Sequence, residues 1–194
     1  MYRSLTLIPL AVLAACASPT PPSITTDDID VAIAENDRID ALPDAAMAML
    51  PTTSASYTGN FGSDNLTIDG DGGYGVLGDM VMTIDFGGSN DISGTVSNLN
   101  LIEDGVLDQL LGGELDISGT TAAGALAATA DGTLDAVGDD LPFRGTTDVS
   151  FVMTGTTKED GSDTAVSGTW TGGSTSLNDD FFVVGTGTFF GTED

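Results

Sequence analysis

The sequence predicts an all-β fold: a soluble eight-stranded antiparallel up-and-down β-barrel, preceded by a signal peptide and a short tether with a helical segment. Two observations lead there. From Tyr57 onward, apolar residues recur at every second position in run after run, which is the period of half-buried strands. The runs return at about 18 residues per strand and connection, a spacing that suits a meander with modest loops. Glycine-rich runs such as "VGTGTFFG" add a third indication, because glycine lets a strand bend at a barrel corner, and closing the meander removes its exposed edges.

The strands follow in order. "SASYTGNF" opens the series, and "DMVMTIDF" places Met80, Met82, Ile84 and Phe86 on one face with Val81, Thr83 and Asp85 on the other. "NDISGTVSNLNL" aligns Ile92, Gly94 and Val96, "ELDISGTTA" aligns Leu115 and Ile117, and "ALAATADGTLDA" aligns Leu126, Ala128, Ala130 and Leu134. Val149, Phe151 and Met153 share a face in "TTDVSFVMTGT", as do Val166, Gly168 and Trp170 in "TAVSGTWTGG", and "FFVVGTGTFFG" closes the chain. "DISGT" occurs at Asp91–Thr95 and again at Asp116–Thr120, with an echo in "VSGTW", which suggests a repeated strand unit. The connection "LIEDGVLDQLLGG" carries Val106, Leu107, Leu110 and Leu111, a spacing expected to form a helical turn over one barrel end. The apolar faces are rich in Ala and Gly and aromatic residues are few, which is poor material for a lipid-facing belt with two aromatic girdles.

Residues 1–15 have the parts of an export signal: a tip carrying Arg3, the apolar run Leu5 to Leu13 and small residues at its end. The run is too short to span a bilayer as a mature helix. It ends at Leu13-Ala14-Ala15-Cys16, which resembles the lipobox of bacterial lipoproteins, cleaved before a cysteine that then receives fatty acyl chains. Cys16 is the only cysteine in the chain and is expected to be the lipid attachment point; several acyl chains on one residue make a lasting anchor. Residues 16–49 are expected to hold the lipidated Cys, an extended tether in "ASPTPPSITT" and a short segment, "DDIDVAIAENDRIDAL", that is either helical, capped by Thr26 or Asp27, or loose. "PDAAMAMLP" leads as a turn or helical segment into a barrel domain at 50–194.

"ALPDAAMAMLPTTSASYTGNF", "IDFGGSNDISGTV" at Ile84 to Val96 and "GTGTFFG" at Gly185 to Gly191 resemble the β-barrel domain of the transferrin-binding protein B family, surface lipoproteins of Gram-negative bacteria. The resemblance covers roughly residues 50–191 together with the lipobox. It implies an eight-stranded barrel displayed on the outer membrane that binds a carrier of iron, haem or other cargo and passes the cargo to an outer-membrane transporter. The chain has room for one barrel where full-length receptors of this kind have two lobes with handles, and its last motif stops at "GTED". No binding residue is carried over.

The chemistry classes narrow from composition. With 30 acidic and 4 basic residues the chain carries a net charge of −26, which disfavours nucleic acid and anionic head groups; it fits a surface kept soluble by charge, as in salty surroundings, at least as well as an acidic face for neutral, basic or cationic partners. There is no histidine, so the commonest general base and transition-metal ligand are both missing, and the many Ser and Thr hydroxyls have no imidazole to activate them. No catalytic residue, no metal site and no cofactor is expected, and the protein is expected not to be an enzyme. "TIDGDGGYG", with Asp69 and Asp71 among glycines, suits a hairpin turn better than a calcium loop, since repeated copies or a closing glutamate would be needed for the ion. "GDD" at Gly138–Asp140, "KED" at Lys158–Asp160 and "NDD" at Asn178–Asp180 read as solvated loop tips. Two functions are expected from this reading: an outer-membrane binding module that captures a solute or its carrier, or a structural envelope lipoprotein whose acidic loops take up calcium.

Overall fold

A computed structural model describes residues 19–137 and 144–194. One helix, α1 (Thr26–Asp40), precedes nine strands: β1 (Ser54–Ile68), β2 (Asp71–Asp85), β3 (Asp91–Glu103), β4 (Val106–Leu110), β5 (Leu115–Ala122), β6 (Ala125–Ala136), β7 (Gly145–Asp160), β8 (Asp163–Ser174) and β9 (Val183–Glu193). All strands but β4 join one antiparallel ring in which each neighbours the next, and β1 closes the ring by pairing with both β2 and β9. The eight-stranded up-and-down barrel expected from the alternation is therefore present.

The expected faces are the observed ones. Met80, Met82, Ile84, Ile92, Val96, Leu115, Ile117, Leu126, Ala130, Val149, Phe151, Met153, Val166 and Trp170 are all buried in the barrel core. Their chain neighbours, among them Thr83, Asp116, Asp131 and Thr169, face outward. That polarity is the reverse of a membrane-spanning barrel, whose outward band is apolar.

The segment expected to form a helical turn over the barrel end is instead β4, the extra strand that pairs with β3 outside the ring. Asp104 and Gly105 both adopt positive φ, 49° and 79°, which makes a two-residue turn of the kind that matches strand twist. The chain therefore doubles back along β3, pairing Glu103 with Val106 and Ile102 with Leu107. Asp69 and Gly70, at φ 52° and 92°, turn β1 into β2 in the same way, so "TIDGDGGYG" is the hairpin turn the sequence suggested.

The segment left open as helical or loose is a helix, and its cap lies earlier than expected, at Thr25. The Thr25 side chain accepts from the Asp28 amide at 3.4 Å while Asp28 accepts from the Thr25 amide at 2.8 Å, a reciprocal capping box that satisfies two otherwise orphan donors. The helix lies against the outside of the barrel. Ala32 and Ile39 pack on Leu77, Ala165 and Phe190 in a second apolar cluster distinct from the barrel interior. Arg38 bonds Asp160 at 3.0 Å, Ser167 donates to Asp40 at 3.1 Å, and Lys158 pairs with Asp44 at 3.0 Å. "KED" is accordingly the end of β7 that clamps the N-terminal segment rather than a solvated loop tip. The clamp continues as backbone bonds from Ala45 to Thr157 and from Glu159 to Pro43.

The stretch read as an extended tether is bonded to the barrel from Thr20 onward. The Leu110 amide donates to the Thr20 carbonyl at 2.9 Å, and the Ser23 amide donates to Asn100 Oδ1 at 2.8 Å. No helix among the described residues is long and apolar enough to cross a membrane.

Inside the closed seam, the buried Tyr57 hydroxyl lies 2.8 Å from Thr164 Oγ1, which donates in turn to Glu193 at 2.6 Å. Burial, reinforced by the Glu193 charge and opposed by the Thr164 bond, pushes the Tyr57 phenol from 10.0 up to about 12. A pKa raised on folding means that the folded state holds the proton more tightly, so this contribution is intact below pH 10 and is lost as the pH climbs toward about 12. Urea titrations across that window should show wild-type stability falling. The fall should be shallower in Tyr57→Phe, and an identical slope would remove Tyr57 as its source.

Candidate functional site

A barrel of eight strands either holds one small ligand or is filled by its own side chains. Here it is filled. An internal void of about 20 Å³ is walled entirely by apolar side chains, including Phe61, Leu99, Leu134 and Phe181. A volume of that size holds about one water, and an apolar lining gives a water no partner.

Three aromatic rings form the plug. Phe61 stacks on Trp170 with centroids 4.6 Å apart and planes 8° from parallel, and Phe151 meets Trp170 edge-on at 4.8 Å. The indole N–H donates to the Gly62 carbonyl at 3.2 Å, so the one polar atom of the ring is satisfied. Glycines on facing strands make the room. A Cβ at Gly187 would come within 2.5 Å of the Trp170 ring, and one at Gly168 within 2.6 Å of the Phe189 ring.

The site with ligand dimensions lies outside the barrel. Between α1 and the outer faces of β1, β2 and β9 runs a groove of about 440 Å³, within the usual span of small-molecule sites of about 300–1,000 Å³. Its helix wall is Ile29, Ala32, Ile33 and Asn36. The barrel wall is built mainly from Leu77, Phe190 and Ile102, with Gly62 and Gly75 leaving its floor low. Ala32 and Ile39, 6 % and 0 % exposed, seat α1 on the barrel, while Ile33, on a neighbouring face of the helix, remains 56 % exposed and forms part of the groove wall.

Electrostatics at the mouth have one sign. Asp64 and Ser63 line the groove, and Gly105, also in the lining, follows Glu103 and Asp104. Tyr74 in the wall registers this field: burial first, then Glu103, Asp71 and Asp104, push its phenol above the ordinary value. No basic residue is among the groove's lining residues. Arg38 is occupied by Glu35 and Asp160, and Lys158 by Asp44.

The residues singled out by sequence are placed elsewhere. Cys16 and Gly138–Asp140 lie outside the described residues. Asp69 accepts the Phe182 amide at 2.8 Å, Asp180 accepts the Thr146 amide at 2.9 Å, and Asp179 accepts from Thr147 and Asp148. These loop carboxylates therefore brace the β8–β9 connection against β1 and β7. Among the described residues no group of three or more Cys, Asp or Glu side chains is arranged to hold a metal ion.

The groove itself escaped the sequence reading, although a signal for it exists. Val76–Leu77, Leu101–Ile102, Ala165–Val166 and Phe189–Phe190 are apolar on both strand faces, and the second face of each belongs to the cluster under or beside α1. Compared with protein-family models, with curated proteins and with solved structures, the chain finds no match.

Proposed function

We propose that the chain is a lipid-anchored, non-catalytic binding module of the bacterial outer membrane, and that its ligand is met on the outside of the barrel. The observation that carries this reading is the contrast between a lumen closed by Phe61, Phe151 and Trp170 and an open groove of about 440 Å³ beside α1. The anchor rests on Leu13-Ala14-Ala15-Cys16. Display at the surface, and capture of an iron, haem or other solute carrier for an outer-membrane transporter, rest on the resemblance to transferrin-binding protein B barrels. The lack of any histidine supports binding over hydrolysis.

The leash is short in this account. Four residues from Cys16 to Thr20 span at most about 14 Å, and Thr20 is already bonded to Leu110, so acyl chains on Cys16 would keep the barrel close to the bilayer.

Protease treatment of intact cells tests the display. Loss of the barrel from whole cells is the expected result. Survival until the outer membrane is opened would place the protein in the periplasm and remove carrier capture. Replacing Cys16 with Ser should abolish incorporation of labelled palmitate into the chain, and labelling that persists would remove Cys16 as the lipid anchor.

A further inference from the structure

We propose that the groove between α1 and the barrel takes a small cationic amphiphile, with an apolar body lying between Ile33 and Phe190 and an ammonium group at the acidic mouth formed by Asp64, Glu103 and Asp104. The proposal rests on the reading of the chain as a binding module and names the ligand class of its groove, a small solute rather than a protein carrier or haem.

Three features select this occupant. The walls offer Ile29, Ile33, Leu77, Ile102 and Phe190, which gain by shedding water onto an apolar body. The floor is low because Gly62 and Gly75, paired with the outward Leu77 and Ile102, carry no side chain, so a flat or linear body can lie against strand backbone. A Cβ at Gly75 would itself crowd the Ser63 carbonyl oxygen at 2.6 Å, so the low floor there is a consequence of how the barrel is built.

Charge then decides among apolar ligands. A carboxylate or phosphate entering the mouth would meet Asp64 in the lining, Asp104, whose carboxylate lies 2.8 Å from where a Cβ on the lining Gly73 would stand, and Glu103, which acts on the lining Tyr74, with no base in the lining to offset them. An ammonium or quaternary amine would be attracted by all three, and the volume limits it to a small molecule. A peptide or a folded partner is disfavoured, because the groove is bounded by the helix on one side and by the β3–β4 turn at Gly105.

The test compares three probes of equal length on the full chain by calorimetry: hexyltrimethylammonium, hexanol and hexanoate, all used below aggregation. The expected order is cation tightest, alcohol at least tenfold weaker and hexanoate without measurable binding. Added salt should weaken the cation and leave the alcohol unchanged. The double change Asp64→Asn and Asp104→Asn should reduce cation affinity about tenfold while leaving hexanol binding intact. Asp116→Asn with Asp131→Asn makes the same charge change on the outward faces of β5 and β6, across the barrel from the groove, and should leave the cation's affinity unaltered. Ile33→Asp should weaken the alcohol. The proposal is overturned if hexanoate binds as well as the cation, if the distant pair of substitutions matters as much as the mouth pair, or if no probe binds. None of these outcomes bears on Cys16 or on surface display, which protease treatment reads separately.

Discussion

Replacing Trp170 with Ala is expected to destabilise the barrel by about 3–5 kcal/mol, the range for removing a large aromatic from a packed interior. Trp170 is 2 % exposed and sits at the centre of the aromatic plug, stacked on Phe61 and met edge-on by Phe151. Its neighbours cannot collapse into the space, because the glycines that accommodate the ring, Gly187 above all, have no side chains to move inward. The cavity term should therefore be near its full size. In a chain of this length the loss corresponds to a fall in Tm on the order of 10 °C. Trp170→Phe separates the contributions: it can keep the stack on Phe61 and loses the N–H bond to Gly62, a difference of about 1 kcal/mol. A Trp170→Ala protein that melts within a degree or two of wild type would mean that the interior is not the filled core described above.

Ile39→Asp should detach α1 while leaving the barrel folded. Ile39 is 0 % exposed and packs with Ala32 against Phe190, Ala165 and Leu77, so the substitution removes an apolar contact and places a carboxylate beside Asp40 without a partner. Lost burial alone costs about 2–5 kcal/mol, and desolvating the charge adds to it. The helix has 15 residues, a length at which an isolated helix is marginal even when well capped. Released from Phe190 and Leu77, it should fray. The barrel keeps its own apolar cluster and its β1–β9 closure, neither of which includes Ile39. The expected observation is selective proteolysis between residues 23 and 50, loss of the helical circular-dichroism signal and loss of groove binding, with barrel melting nearly unchanged. Cooperative unfolding of the whole domain would show instead that α1 is an integral part of one folding unit.

How much of this was legible in the sequence depends on periodicity. The inward faces were readable because one strand position in two is apolar, and Met80, Met82 and Ile84 or Val149, Phe151 and Met153 lie where alternation puts them. The β3–β4 hairpin was misread because Val106, Leu107, Leu110 and Leu111 also fit a helical stripe; Asp104–Gly105 was the deciding signal, a dipeptide suited to positive φ at both positions. The cap moved from Thr26 or Asp27 to Thr25 because Asp28 reaches back to it, and the capping box is visible in "TTDD" only once its register is fixed. The groove was not legible from alternation alone. Its strand positions, Leu77 and Phe190 among them, sit on the nominal solvent face, and a doublet such as Phe189–Phe190 says that something covers that face without saying what. Whether the lumen is empty or full was equally hidden, since that depends on how rings from Phe61, Phe151 and Trp170, brought together from three strands, meet across the barrel.

A solid barrel meets its ligands on the outside. Methyl NMR of the full chain, labelled at Ile and Met and titrated with hexyltrimethylammonium, tests this directly. Ile29, Ile33 and Ile102 line the groove, whereas Met82, Met153 and Ile117 lie in the barrel core. Saturable shifts are expected at the first three methyl sets and none at the second three. Saturable shifts at Met82, Met153 and Ile117, with Ile33 unmoved, would place the ligand inside the barrel and contradict that arrangement.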